Sequence, residues 1–186
     1  SDILCCIDKE VTFNRLDSYG VPTVPYTRLK EQAQMWLDED HIVVNRATTT
    51  GKANEGLSYS YKGLNGIVDT PLSPDAVMWT RYVNHKRELR AYVFKGQQPL
   101  VFEKVVTDGG WFFKPIKTPE RLKPQLVAAQ MAFNGLVFSA YDILEAVTGD
   151  YYFLENNSAP SLLVNDKIIP RLVKVIKAET ADVASY

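Results

Sequence analysis

Residues 142–160 read D-I-L-E-A-V-T-G-D-Y-Y-F-L-E-N-N-S-A-P, and the architecture of the chain follows from how the two arms of this stretch pair. Strand-forming runs flank Thr148-Gly149. A two-residue loop there would use Gly149 for the positive φ such turns need. Val147 then faces Asp150, and counting outward sets Asp142 opposite Glu155. Side chains alternate along a strand, so Asn157 shares a face with Glu155. Directly opposed β-carbons lie about 4.5–5.5 Å apart, and like charges at that distance repel. A hard cation between them relieves the repulsion; magnesium, which prefers oxygen ligands and keeps waters or phosphate oxygens in its shell, suits two carboxylates and an amide oxygen. Acidic pairs also occur on solvated sheet faces, and a turn one residue longer would change the register.

Working outward, the pattern is mixed. Asp8–Tyr19 has a loosely helical spacing ended by Gly20, and Val21–Tyr26 reads as an extended link. Thr27 can cap a helix over Arg28–Leu37, with Leu29, Ala33, Trp36 and Leu37 as its apolar stripe. A short strand over His41–Arg46 precedes the polar loop Ala47–Gly56, and Leu57–Tyr61 alternates again. Further strands are expected over Asp75–Val83, Glu88–Phe94 and Leu100–Val106, with a turn around Gly96. Asp108-Gly109-Gly110 breaks the pattern ahead of Trp111-Phe112-Phe113. Thr118-Pro119 starts a helix running to about Asn134, stopped by Gly135, and a last helix covers Lys167–Glu179 with Pro170 in its first turn. Antiparallel hairpins interspersed with helices give an α+β class rather than regular βαβ alternation.

Composition narrows the function. The 186 residues suffice for one domain or two small ones sharing a core. A formal net charge of −1 supplies no global basic field, so neither nucleic acid nor a membrane surface is an expected partner. No apolar run approaches the roughly 20 residues of a membrane span, and no basic n-region with an apolar segment opens the sequence. Cys5 and Cys6 are adjacent and unsuited to an ordinary disulfide with each other, which fits a reducing, cytoplasmic setting. Neither G-x-G-x-x-G, nor a P-loop, nor G-x-S-x-G is present.

Other polar groups fall in suggestive places. Arg46 ends a strand beside a loop containing Thr48, Thr49, Thr50, Gly51 and Gly56. That arrangement suits a phosphate clamp or an ordinary surface connection. Glu88 and Arg90 point to one face of their strand, and Lys104 returns on the partner strand. They are either solvated strand residues or a surface where an acid meets sugar hydroxyls and two bases meet phosphate.

Taken in order, R-Y-V from Arg81, E-L-R-A-Y-V-F-K-G from Glu88, E-K at Glu103, Y-D-I-L from Tyr141 and F-L-E-N-N-S-A-P-S-L from Phe153 resemble the ATP-grasp superfamily. The closest flavour is the short ATP-grasp proteins encoded by bacteriophages, and the similarity runs from about Asp8 to the C-terminus. The resemblance implies two α+β subdomains with mostly antiparallel sheets holding ATP between them, an N-terminal one over residues 1–80 and a C-terminal one over 81–186. The further N-terminal domain usual in the family is largely missing, so an oligomer or a partner supplying it is an open possibility. Arg46 then matches a phosphate contact, Ala47–Gly56 the glycine-rich loop, Arg81, Tyr82 and Val83 the adenine hinge, and Glu88 the ribose acid. Arg90 and Lys104 match basic residues at the γ-phosphate and the reacting carboxylate. Asp142, Glu155 and Asn157 match magnesium ligands. The implied activity is an ATP- and magnesium-dependent ligase joining a small-molecule or peptide carboxylate to an amine, in the host cytoplasm if phage-encoded. An ATP-binding module and a phosphotransferase on the same fold are the alternatives. Two departures stand out: Phe13 occupies the expected place of a basic residue in the first helix, with Lys9 and Arg15 nearby, and Ala140 stands where many such ligases have arginine.

Overall fold

The computed structural model of the protein describes residues 1–50, 56–63, 69–162 and 165–183. In chain order it contains α1 (Asp2–Ile7), α2 (Lys9–Ser18), β1 (Tyr26–Thr27), α3 (Lys30–Asp38), β2 (Val43–Arg46) and β3 (Leu57–Ser60). Next come β4 (Met78–Arg81), β5 (His85–Phe94), β6 (Leu100–Thr107) and β7 (Gly110–Ile116). The chain ends with α4 (Lys123–Ala132), β8 (Phe138–Ala146), β9 (Tyr151–Asn157) and α5 (Ile168–Val183). The class is α+β, as expected, with two mostly antiparallel sheets. Among the described residues no helix is long and apolar enough to cross a membrane.

Two compact units form: Val24–Asn84, and Ser1–Thr23 together with His85–Tyr186. The expected division into 1–80 and 81–186 therefore differs at the first two helices. Leu16 and Val21 are buried in one cluster with Leu89, Ala91, Tyr141 and Phe153, so apolar contact ties the start of the chain to the later sheet.

The smaller unit is a four-stranded sheet in the order β1-β4-β2-β3. Ala33, Trp36 and Leu37 recur at helical spacing on α3 and bury against Val43, Leu72 and Trp79. Thr27 does not cap this helix directly. Its hydroxyl accepts from Leu29 N–H at 3.0 Å, one residue before the first helical position. The buried Asn45 amide donates to Ser60 Oγ at 2.8 Å and accepts from Ser73 N–H at 3.1 Å, pinning β2 to its surroundings.

The larger unit is a five-stranded antiparallel sheet in the order β7-β6-β5-β8-β9. One face, carrying Leu89, Ala91, Val93, Ile143 and Phe153, packs on Leu126, Ala129 and Phe133 of α4 and Leu16 of α2. The opposite face has two characters. Its far half, with Tyr92, Phe94, Phe102 and Ala140, is covered by Ile168 and Val175 of α5; its near half is polar.

Three local expectations are revised. β7 is a full strand, because the Gly110 φ of +128° lets the chain reverse and Trp111-Phe112-Phe113 are strong strand formers. α4 begins at Lys123 rather than Thr118, with proline in its first turn. The β8–β9 connection holds three residues, not two: Ala146 N–H donates to Asp150 O, Gly149 N–H donates to Ala146 O, and Gly149 has φ +87°. That shift alone would have set Leu154 against Asp142. A bulge restores the expected pair, for the register passes from Ile143↔Phe153 to Asp142↔Glu155.

Candidate functional site: an acid–base row on the polar half of the sheet

Cross-strand register builds the site. Glu88 on β5 pairs with Lys104 on β6. Arg90, two residues on and so on the same face, pairs with Asp142 on β8. Asp142 in turn pairs with Glu155 on β9, and Ala140 with Asn157. Six of the expected residues, Glu88, Lys104, Arg90, Asp142, Glu155 and Asn157, thus share one surface.

The side chains interlock. Arg90 grips Asp142 through two parallel bonds, Nε to Oδ1 and Nη2 to Oδ2, both 2.6 Å. This is the bidentate geometry that only a guanidinium supplies. The Lys104 ammonium donates to Glu88 at 2.6 Å, and His85 Nε2 lies 3.8 Å from the other Glu88 oxygen. Asn157 Nδ2 donates to Glu155 Oε1 at 3.0 Å. The Arg90 guanidinium also lies over the Phe113 ring, 4.9 Å from its centroid.

Electrostatics separate the two facing acids. Burial raises the Asp142 carboxyl, the Arg90 fork draws it back, and Glu155 adds to the rise, leaving it at about 6. Burial acts the same way on Glu155, but Lys9, Asn157 and Asp142 outweigh it and hold that group below the usual carboxylate range. Burial also works against the Arg90 charge, yet Asp142 more than compensates, so the guanidinium is raised further.

A divalent ion fits this donor set. Among the described residues no group of three His, Cys, Asp or Glu side chains converges, which disfavours a closed all-protein cage. Two opposed carboxylates and one amide oxygen match a hard cation that keeps waters or phosphate oxygens.

The smaller unit holds the remaining expected residues. Arg46 is 8% exposed at the end of β2, in register with Leu57 and Met78. Ala47 N–H donates to Gly56 O at 2.9 Å, closing the mouth of the loop. A Cβ at Gly56 would meet the Ala47 Cβ at 3.1 Å, with a φ of +67° besides. Thr50 N–H donates to Thr48 Oγ1, the two hydroxyls lie 3.1 Å apart, and Thr49 is buried. Gly51 lies outside the described residues. At the end of β4, Arg81 N–H donates to Pro25 O and Tyr82 N–H to Ile42 O, while Val83 follows half-buried.

One contact was missed in the sequence. Lys9, in the first turn of α2, places its ammonium 3.2 Å from Glu155 Oε2. Asp8 caps that helix through Glu10 N–H and Val11 N–H, fixing where Lys9 emerges. The Asp-Lys pair at a helix start was the available signal, and only the packing of α2 beside β9 shows where it leads.

No family model matches the sequence, and no curated protein matches it significantly. Solved structures do match. PsnB, an ATP-grasp ligase solved with a minimal precursor, Mg and ADP, superposes with a TM-score of 0.70 at 18% identity, over 92% of this chain and 58% of its own. The chain has the ATP-grasp fold. A second structure with this fold is the macrocyclase MdnC bound with a precursor peptide from Microcystis aeruginosa, with TM-score 0.62, 14% identity, and 94% of this chain and 61% of that one covered. The D-alanine–D-alanine ligase of Bacillus anthracis gives 0.63 at 16% identity, over 94% and 69% respectively. The chain thus spans about three fifths of the length of PsnB and MdnC.

Proposed function

We propose that the protein is an ATP- and magnesium-dependent ligase that activates a carboxylate as an acyl phosphate for attack by an amine. The observation that carries this reading is the facing of Asp142 and Glu155, beside Asn157, on the same surface as Arg90, Lys104 and Glu88. The fold supports it, because structures sharing it include ligases solved with Mg and ADP and with precursor peptides. Peptide carboxylates and amines are accordingly the favoured substrate class.

In this reading Asp142, Glu155 and Asn157 would hold magnesium, which would supply positive charge to offset that of the phosphates. Glu88 accepts ribose hydroxyls. Arg46, with Thr48, Thr49, Thr50, Gly51 and Gly56, contacts phosphate, and Arg81, Tyr82 and Val83 read adenine. A carboxylate oxygen attacks the γ-phosphorus and ADP leaves. The amine nitrogen then attacks the acyl carbon, the carbon–oxygen bond to phosphate breaks, and the surplus proton passes to solvent. Arg90 and Lys104 steady the negative charge that migrates during both steps. Positioning and charge neutralisation supply most of the acceleration in such chemistry, so a histidine base is not required. ATP as co-substrate and the two free cysteines, Cys5 and Cys6, favour a reducing, cytoplasmic setting in this reading.

The test is ADP release from Mg-ATP with carboxylate and amine added singly and together. Release that requires both supports the ligase; phosphorylated product without an amine points to a phosphotransferase. A nucleotide-binding module remains a second reading, favoured by Ala140. This residue is fully buried where the resemblance expects an arginine, and Arg90 reaches the first acid from the neighbouring strand instead. Such a module would bind Mg-ATP and release no ADP with any acceptor pair.

A further inference from the structure

The polar half of the sheet does not end at Lys104. β7 pairs with β6 so that Lys104 faces Phe113 and Val106 faces Trp111. Alternation therefore puts Val106, Trp111 and Phe113 on the same surface as Arg90. Trp111 stands edge-on to Phe113, with centroids 5.3 Å apart at 68°, and the Phe113 ring carries the Arg90 guanidinium on its face. Phe113 abuts the core under α5, whereas Trp111 is 61% exposed and Val106 73%. An apolar strip thus begins at the two cations and runs outward along the sheet edge. Exposed aromatics on an edge strand invite unwanted pairing unless they have a use.

We propose that Val106, Trp111 and Phe113 form a subsite for an apolar or aromatic group borne by the carboxylate substrate, placed beside Arg90 and Lys104. The ligase reading selects this occupant: it puts the reacting carboxylate at Arg90 and Lys104, which the sheet already pairs with Asp142 and Glu88, and the outer end offers the exposed side chains of Val106 and Trp111. The favoured acid therefore carries its apolar group a short chain away from the carboxylate, as an acidic residue next to an apolar one does in a peptide. The inference rests on the ligase reading above and adds the substrate class to it.

The experiment uses the full chain with Mg-ATP, hydroxylamine as the amine, and sodium 4-phenylbutyrate or sodium butyrate as the acid. ADP release should half-saturate at a concentration about tenfold lower for phenylbutyrate, the effect of partly burying one ring. Trp111→Ser should narrow that ratio to near unity. Trp36 and Trp79 are buried, so a shift in tryptophan emission reports on Trp111. Phenylbutyrate should move the emission to shorter wavelength in the presence of magnesium and a non-hydrolysable ATP analogue; butyrate should not. Equal half-saturation by the two acids, or a preference that survives in Trp111→Ser, overturns the subsite. Thermal stabilisation by Mg-ATP separates the two levels. A chain stabilised by Mg-ATP but indifferent to the phenyl group sinks the subsite alone; a chain not stabilised at all sinks the ATP site and the subsite with it.

Discussion

The two halves of one sheet face differ in their cover, and the difference sets the proposed site apart from the core. Along β5 the same alternate positions run Glu88, Arg90, Tyr92, Phe94, and the neighbouring strands change with them, from Lys104 to Phe102 and from Asp142 to Ala140. Beyond Arg90, α5 covers the face and the side chains are fully buried. Before it, charged groups remain within reach of solvent and are paired with one another. Strand parity decides which face a residue joins, while cover by a helix decides whether that face becomes core or binding surface.

The halves should fail in different ways. Phe102→Ala, in the covered half, should cost about 3–5 kcal/mol of stability by cavity formation, read from the denaturant midpoint, with nucleotide binding falling only as far as folding does. Glu155→Gln, in the polar half, should lower magnesium-dependent ATP turnover at least about a hundredfold, or about 2.7 kcal/mol in barrier height, while the midpoint moves little. Turnover by Glu155→Gln equal to that of the wild type would erase the distinction between the halves. Arg90→Lys keeps the charge but loses the two-pronged contact with Asp142, so turnover should drop about tenfold with the fold intact. If Arg90→Ala and Arg90→Lys prove equally impaired, geometry rather than charge carries that position.

The smallest effect sharpens the comparison from the opposite face. Glu145 is only 5% exposed; burial raises its carboxyl, but hydrogen bonds from Lys86 and Arg87 prevail and lower it. A depressed carboxylate stabilises the fold above its unfolded value, and that contribution disappears as pH falls through the folded value. Unfolding free energy should therefore decline more steeply below about pH 4.5 in the wild type than in Glu145→Gln. Turnover near neutral pH should be the same in both, because this charged cluster braces the sheet and stands apart from the proposed site.

The sequence made the near-neighbour geometry legible and left the distant geometry hidden. Alternation was enough to align Glu88, Arg90 and Lys104, since a short turn around Gly96 returns β6 beside β5. Asp142 opposite Glu155 was also expected, although two local irregularities cancelled: a longer loop at Gly149 and a bulge at Leu154. Neither irregularity has a composition signal strong enough to read alone. The Arg90–Asp142 fork joins residues 52 apart, and the Lys9–Glu155 pair brings α2 to β9. Such contacts depend on strand order and helix packing, which local periodicity does not encode. For the same reason the contacts of Leu16 and Val21 with the later sheet were not legible in the sequence.

The most direct test is calorimetric titration of ATP into the wild type and Glu155→Gln, each with magnesium and with EDTA. The account predicts wild-type binding that weakens strongly when magnesium is withdrawn, and weak, magnesium-insensitive binding by Glu155→Gln. Wild-type affinity indifferent to magnesium, or full magnesium dependence in Glu155→Gln, would contradict the assignment of the opposed acids to the metal.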